Sequence, residues 1–122
     1  MNETNEKQCV LVVDDHPKVL RFIEIDLRLR EFKVISTTFG QEALDLVKSA
    51  KPDIMLLDII MPGIDGFEVL KELRTFSDVP VIAFSASPGN YDSAIQLGAN
   101  DFIAKPFDAD QMVGRIKQLL RG

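Results

Sequence analysis

Ile54 to Leu57 is an unbroken apolar run that ends on Asp58 and resumes at once with Ile59-Ile60-Met61. A run so short and so uniformly apolar fits a strand buried on both faces, the kind found in parallel sheets covered by helices. A carboxylate in that setting is costly unless it is paired, hydrogen-bonded or bound to a cation. This stretch alone leaves two readings of Asp58 open. Either it caps a turn after a buried strand, or it stands at the carboxyl end of a central strand, where open α/β sheets place their chemistry.

The pattern recurs. Cys9 to Val13 is apolar throughout and ends in Asp14-Asp15, and Lys33–Thr37, Val79–Phe84 and Asp101–Ala104 read as further strands. Pro80 falls near a strand start, where a missing N–H matters least. Helical patterns lie between. His16-Pro17 opens the first, with Val19, Phe22, Ile23 and Leu27 near helical spacing. The second follows Gly40, turns Ala43, Leu44 and Val47 inward, and is stopped by Lys51-Pro52. A third runs from Phe67 to Arg74 beyond a loop containing Pro62-Gly63. A short fourth runs from Tyr91 to Leu97, with Gly98 suited to its C′ position. The last runs from Asp108 to Leu120 with Met112, Ile116, Leu119 and Leu120 inward, and Ser85–Asn90 is a flexible loop by composition. Strand and helix alternating in this way predict an α/β fold, a doubly wound parallel sheet with helices on both faces. The expected organisation is one domain over residues 8–122, preceded by a mobile polar tail over residues 1–7.

Size and charge narrow the function. A chain of 122 residues suits one core. The net charge of −5 argues against direct nucleic-acid binding. Cys9 is the single cysteine, so no intrachain disulfide forms, and it reads as a small core residue. No apolar run approaches the roughly 20 residues that span a bilayer. The opening residues lack the apolar segment of a signal peptide, so no membrane association and a cytoplasmic location are expected.

At the carboxyl ends of the strands stand Asp14 and Asp15 (first), Asp58 (third), Ser85 (fourth) and Lys105 (fifth). In a doubly wound sheet these ends form one rim, so the residues converge despite their separation in sequence. Close carboxylates repel and favour a hard divalent cation, and oxygen-only ligation points to Mg²⁺ rather than zinc. A lysine can meet a carboxylate or a phosphoryl oxygen, and a serine hydroxyl can donate to the latter. These are the parts needed to take a phosphoryl group onto an aspartate. Each has a plainer reading: Asp14-Asp15 as a helix cap and first-turn acid, Lys105 as a solvated lysine, Ser85 as a loop start. Their joint occurrence at four strand ends of five is what favours the chemical one.

From about Cys9 to Leu120 the sequence resembles the receiver domain of two-component response regulators. The acid pair Asp14-Asp15, the segment D-I-I-M-P-G-I-D-G from Asp58 to Gly66, the pair Ser85-Ala86, and G-A-N-D-F-I-A-K-P-F from Gly98 to Phe107 carry the resemblance. It implies a flavodoxin-like (βα)5 fold with strand order 2-1-3-4-5. It implies Asp58 as phosphoacceptor from a sensor histidine kinase, and Mg²⁺ held by Asp15, Asp58 and the backbone carbonyl of Ile60, with Asp14 acting through water. Lys105 would contact the acceptor and then the phosphoryl group, with Ser85 and the Ala86 N–H binding its oxygens. Ser85 and Phe102 would form the switch, and the Lys105-Pro106 bond would be cis. The readout would be the face made by the fourth helix, fifth strand and fifth helix, through which the chain binds an unidentified downstream protein or forms a homodimer. Such a domain is not an enzyme, catalysing only its own phosphorylation and dephosphorylation. Phe102 stands where tyrosine is frequent and lacks the hydroxyl.

Three alternatives compete: a pseudo-receiver that binds partners without phosphate, a small Mg²⁺ phosphohydrolase using Asp58, and a flavin carrier. The complete acid, lysine and serine set argues against the first. No insertion is long enough to form a substrate cap for the second, and the aspartate-rich rim would repel a flavin phosphate. His16, the only histidine, reads as a first-turn residue of the first helix near the site rim rather than a phosphohistidine or metal ligand. Gly63 and Gly66 read as loop and helix-start glycines.

Overall fold

The computed structural model of the chain describes residues 7–61 and 65–121. The expected tail before residue 7 and the loop residues 62–64, Gly63 among them, lie outside the described residues. The elements are β1 (Cys9–Val13), α1 (Pro17–Leu29), β2 (Lys33–Thr37), α2 (Gly40–Ala50), β3 (Ile54–Asp58), α3 (Gly66–Leu73), β4 (Val81–Ser85), α4 (Tyr91–Gln96), β5 (Asp101–Ala104) and α5 (Ala109–Arg121). A 3-10 turn over Pro88–Asn90 leads into α4, where a flexible loop was expected from composition. The five strands are parallel in the order β2-β1-β3-β4-β5, the flavodoxin-like arrangement.

Alternation along the strands divides the core in two. Leu11, Val13, Met55, Leu57, Val81 and Ala83 pack with side chains of α2, α3 and α4. Val10, Val12, Leu56, Ile82, Phe84 and Ile103 pack with Leu20, Ile23 and Leu27 of α1 and Met112, Val113 and Ile116 of α5. Sandwiching the sheet in this way buries β3 and β4 at every position, which is why their sequences are apolar without a period of two.

Boundaries follow local chemistry. Lys51 closes α2 in the left-handed region at φ 48°. The Asp65 carboxylate caps α3 by accepting from Glu68 N at 3.0 Å, and Asp108 does the same for Gln111 N at 2.7 Å. β4 begins at Val81, two residues later than expected, because Pro80 has no N–H to donate to a neighbouring strand. Phe22 is corrected as well: it is 51% exposed, and Leu20 joins Ile23 and Leu27 on the inner face of α1.

At the amino-terminal rim, Arg74 acts as a clamp. Its Nε and Nη2 donate to Gly98 O at 3.1 and 2.8 Å, and its Nη1 donates to Ser77 O at 3.0 Å. Nη2 also reaches Asn100 Oδ1, which accepts from Val81 N at 2.9 Å and so pins the start of β4. Gly98 adopts φ 112°, and a Cβ there would meet Arg74 Cγ at 2.9 Å. Truncation would leave the part-buried carbonyls of Gly98 and Ser77 without these donors. Arg74→Ala is therefore expected to destabilise by about 2 kcal/mol, lowering the urea midpoint by roughly 1 M. Arg30→Ala, which removes an i,i+4 pair to Asp26 and a pair to the 88% exposed Asp110, is expected to lower the stability by less than about 1 kcal/mol.

Candidate functional site

The strand order reverses at β1, whose neighbours β2 and β3 lead away on opposite sides. The crevice at the carboxyl ends of β1 and β3 is therefore the topological switch point, where such sheets bind ligands. Asp14 and Asp15 follow β1 and Asp58 ends β3. Ser85 ends β4, and Lys105 follows β5 with its N–H bonded to Ser85 O at 2.8 Å.

The lysine ties the rim together. Lys105 Nζ donates to Asp14 Oδ2 at 3.1 Å and to Asp58 Oδ2 at 3.4 Å, and lies 4.9 Å above the Phe84 ring centroid. Asp14 is fully buried and Asp58 is 2% exposed. Asp58 Oδ1 accepts from Ile60 N at 3.1 Å. Burial pushes the Asp58 carboxyl above the ordinary carboxylate range. Lys105 pulls against that shift, and the Asp14 charge adds to it. The Lys105-Pro106 peptide is cis.

His16 is the N-cap of α1, one place earlier than expected, and its Nδ1 lies 3.0 Å from Asp14 Oδ1. Donor atoms of Asp14, Asp15, His16 and Asp58 all fall within 4.8 Å of one another. Asp15 Oδ1 sits 3.2 Å from His16 Nδ1 but without hydrogen-bond geometry, and it is buried with no hydrogen-bond partner among the described residues. A buried carboxylate oxygen without a donor, beside two further carboxylates, is the donor set that suits a hard divalent cation.

The mouth of the site is a cavity of about 320 Å³ lined by His16, Val19, Asp58, Ile60, Ala86 and Lys105. Ile60 is 53% exposed there. Ser85 is fully buried, and its Oγ accepts from Ser87 N and from Asn90 Nδ2, each at 3.0 Å. Phe102 is 8% exposed and meets Tyr91 edge-to-face at 5.6 Å. The side chains of Asp14, Asp58 and Lys105 thus meet directly, with Asp15 beside them. Ser85 and Ala86 stand on the adjacent strand end, and Phe102 lies one layer behind.

Two further residues shape the site, and neither is assigned to it from the sequence. A Cβ on Gly66 would lie 2.6 Å from Asp58 O, so this glycine lets α3 start against the end of β3. Asn90 reads from the sequence as part of the Ser85–Asn90 loop. Glycine after an Asp-containing turn was a visible hint for the first; nothing marked the second.

The chain belongs to the response regulator receiver domain family, whose pattern matches residues 10–117. It is 39% identical over 118 residues to the probable transcriptional regulator ycf27 of Porphyridium aerugineum, covering 95% of this chain and 49% of that protein. The chain therefore spans about half the length of the curated relatives it matches. The receiver domain of the Francisella response regulator 1452 superposes with a TM-score of 0.88 at 32% identity, covering 94% of this chain and 98% of that one. The Thermotoga maritima response regulator TrrA, solved in complex with Mg²⁺-BeF, superposes with a TM-score of 0.84 at 30% identity, covering 92% and 98%. Among the described residues no helix is long and apolar enough to cross a membrane.

Proposed function

We propose that this receiver domain accepts a phosphoryl group on Asp58 from the phosphohistidine of a sensor histidine kinase. A carboxylate oxygen of Asp58 attacks phosphorus, the P–N bond breaks, and its electron pair leaves with the imidazole. The observation that carries the reading is Lys105 Nζ, which bridges the two buried carboxylates of Asp14 and Asp58. That cation is placed to follow negative charge from the carboxylate to a phosphoryl oxygen.

Asp15, Asp58 and the Ile60 carbonyl would hold Mg²⁺, with Asp14 behind them through water. The bound ion supplies positive charge against the phosphoryl oxygens and the acceptor. The chain's own part is to orient Asp58 through the Ile60 N–H, to hold Lys105, and to offer the Ser85 hydroxyl and Ala86 N–H as donors. Ser85, drawn to the new oxygens, leaves space that Phe102 fills, and the face of α4, β5 and α5 repacks for a downstream protein or a second copy of the chain. Tyr91 and Ile95 are exposed on that face. No separate substrate is turned over, and a cytoplasmic location accords with a kinase donor.

Intact-protein mass after incubation with acetyl phosphate tests the reading. One phosphoryl adduct is expected on the wild type with Mg²⁺, and none on Asp58→Ala or without Mg²⁺. No adduct in any sample would instead favour a phosphorylation-independent interaction module.

Ile60 sets the lifetime of the adduct. Its half-exposed apolar side chain at the site mouth offers an attacking water no hydrogen bond. Ile60→Asn is expected to speed loss of the phosphoryl group about fivefold, the rate equivalent of one hydrogen bond of ~1 kcal/mol. Unchanged or slower decay in a time course of intact mass would refute it.

A further inference from the structure

We infer that Asn90 is a positioning residue that latches the Ser85 hydroxyl in the ligand-free state and ties the start of α4 to it. The inference rests on Ser85 being the hydroxyl that binds a phosphoryl oxygen.

Ser85 Oγ has two lone pairs, and both are occupied, one by Ser87 N–H and one by the Asn90 side-chain amide. The hydroxyl is therefore held from the α4 side of the site, while its own proton has no acceptor among the described residues. The Ser87 bond is local, inside the turn that leaves β4. The Asn90 bond reaches forward to the last residue of the 3-10 turn, immediately before Tyr91 opens α4. Tyr91 in turn packs on Phe102 at 5.6 Å. Adjacent residues thus hold the two side chains of the switch, Asn90 the hydroxyl and Tyr91 the aromatic ring.

This arrangement makes the β4–α4 segment two-state. A Ser85 hydroxyl that moves toward a phosphoryl oxygen gives up the Asn90 amide. The 3-10 turn loses the side-chain tie that ends it, and the first turn of α4 is free to shift with Tyr91. The ligand-free state carries one hydrogen bond that the phosphoryl-bound state lacks, so the latch opposes activation by about the worth of that bond.

The test is a double-mutant cycle read by titration with beryllofluoride and Mg²⁺, followed by amide NMR on the whole chain. Asn90→Ala is expected to bind beryllofluoride about two- to tenfold more tightly than the wild type. In a Ser85→Ala background the same substitution is expected to change nothing, because the latch has no hydroxyl to hold. Unchanged or weaker binding by Asn90→Ala overturns the inference, and so does an equal gain in both backgrounds. The ligand-free protein supplies a second reading. The Asn90 side-chain amide resonances are expected to move on Ser85→Ala, and unmoved resonances overturn the latch. A wild type that binds no beryllofluoride would defeat the phosphoacceptor reading, while those resonances still decide the latch.

Discussion

Gly66→Ala is expected to abolish phosphorylation of Asp58 and to destabilise the fold by about 3 kcal/mol or more. The added Cβ would lie 2.4 Å from Ile59 Cα, 2.6 Å from Asp58 O and 2.9 Å from Ile59 O. All three are backbone atoms, so no side-chain rotation relieves the clash. The Gly66 N–H also bonds Ile59 O at 2.8 Å, so moving α3 away breaks a buried hydrogen bond. Either way the end of β3 shifts, and with it the carboxylate that Lys105 and the Ile60 N–H hold. Urea titration should show the midpoint falling by more than about 1 M, and the folded fraction should gain no mass from acetyl phosphate. Gly114→Ala is the matched control. Its Cβ would meet nothing within 4 Å inside α5, so a gain of roughly 0.5–1 kcal/mol is expected. A Gly66→Ala protein with wild-type stability and phosphorylation would show that the β3–α3 junction yields freely.

Lys105→Ala is expected to have the other large effect. The lysine is 17% exposed and is the cation shared by Asp14 and Asp58. Without it two buried carboxylates face each other unpaired, a loss of about 3 kcal/mol. Asp58→Asn removes one of the like charges and is expected to stabilise the chain by ~1 kcal/mol, a melting point higher by roughly 4 °C. In the Asp58→Asn background the loss from Lys105→Ala should shrink by at least ~1 kcal/mol. Denaturation curves of the four proteins check this. Equal losses in both backgrounds would show that the lysine answers to Asp14 alone. The expected gain follows from the geometry: the Asp58 carboxylate is held buried beside the Asp14 charge.

The sheet was legible because short apolar or β-branched runs leave a plain mark, in the partly buried edge strands as well as in the fully buried central ones. Cys9–Val13, Lys33–Thr37 and Asp101–Ala104 begin and end where their residues suggested. The acidic rim was legible because Asp14, Asp15, Asp58, Ser85 and Lys105 fall together at four strand ends of five, although each alone has a structural reason to be there. What escaped were contacts between residues that share no period. Phe22 lies at helical spacing with the core of α1, yet it turns to an apolar groove of about 440 Å³ that it lines with Val19 and Phe107. Arg74 reads as an ordinary helix-end arginine, and only the fold brings it to Gly98 and Asn100. Asn90 reads as a loop residue, since a side-chain amide five positions from a serine has no sequence signature. Gly66 looks like a helix start, and the closeness of Ile59 and Asp58 that requires it is a fact of packing.

The bond from Lys105 Nζ to Asp14 Oδ2 joins residues 91 positions apart, nearly the whole length of the domain. A ribosome that has released only the first four strands has therefore made every carboxylate of the rim and none of its charge balance. Such a nascent chain holds the acidic residues without the cation that pairs Asp14 and Asp58. On the reading of Asp58 as phosphoacceptor, competence to be phosphorylated would arrive only once the segment after the last strand has delivered Lys105 to the rim.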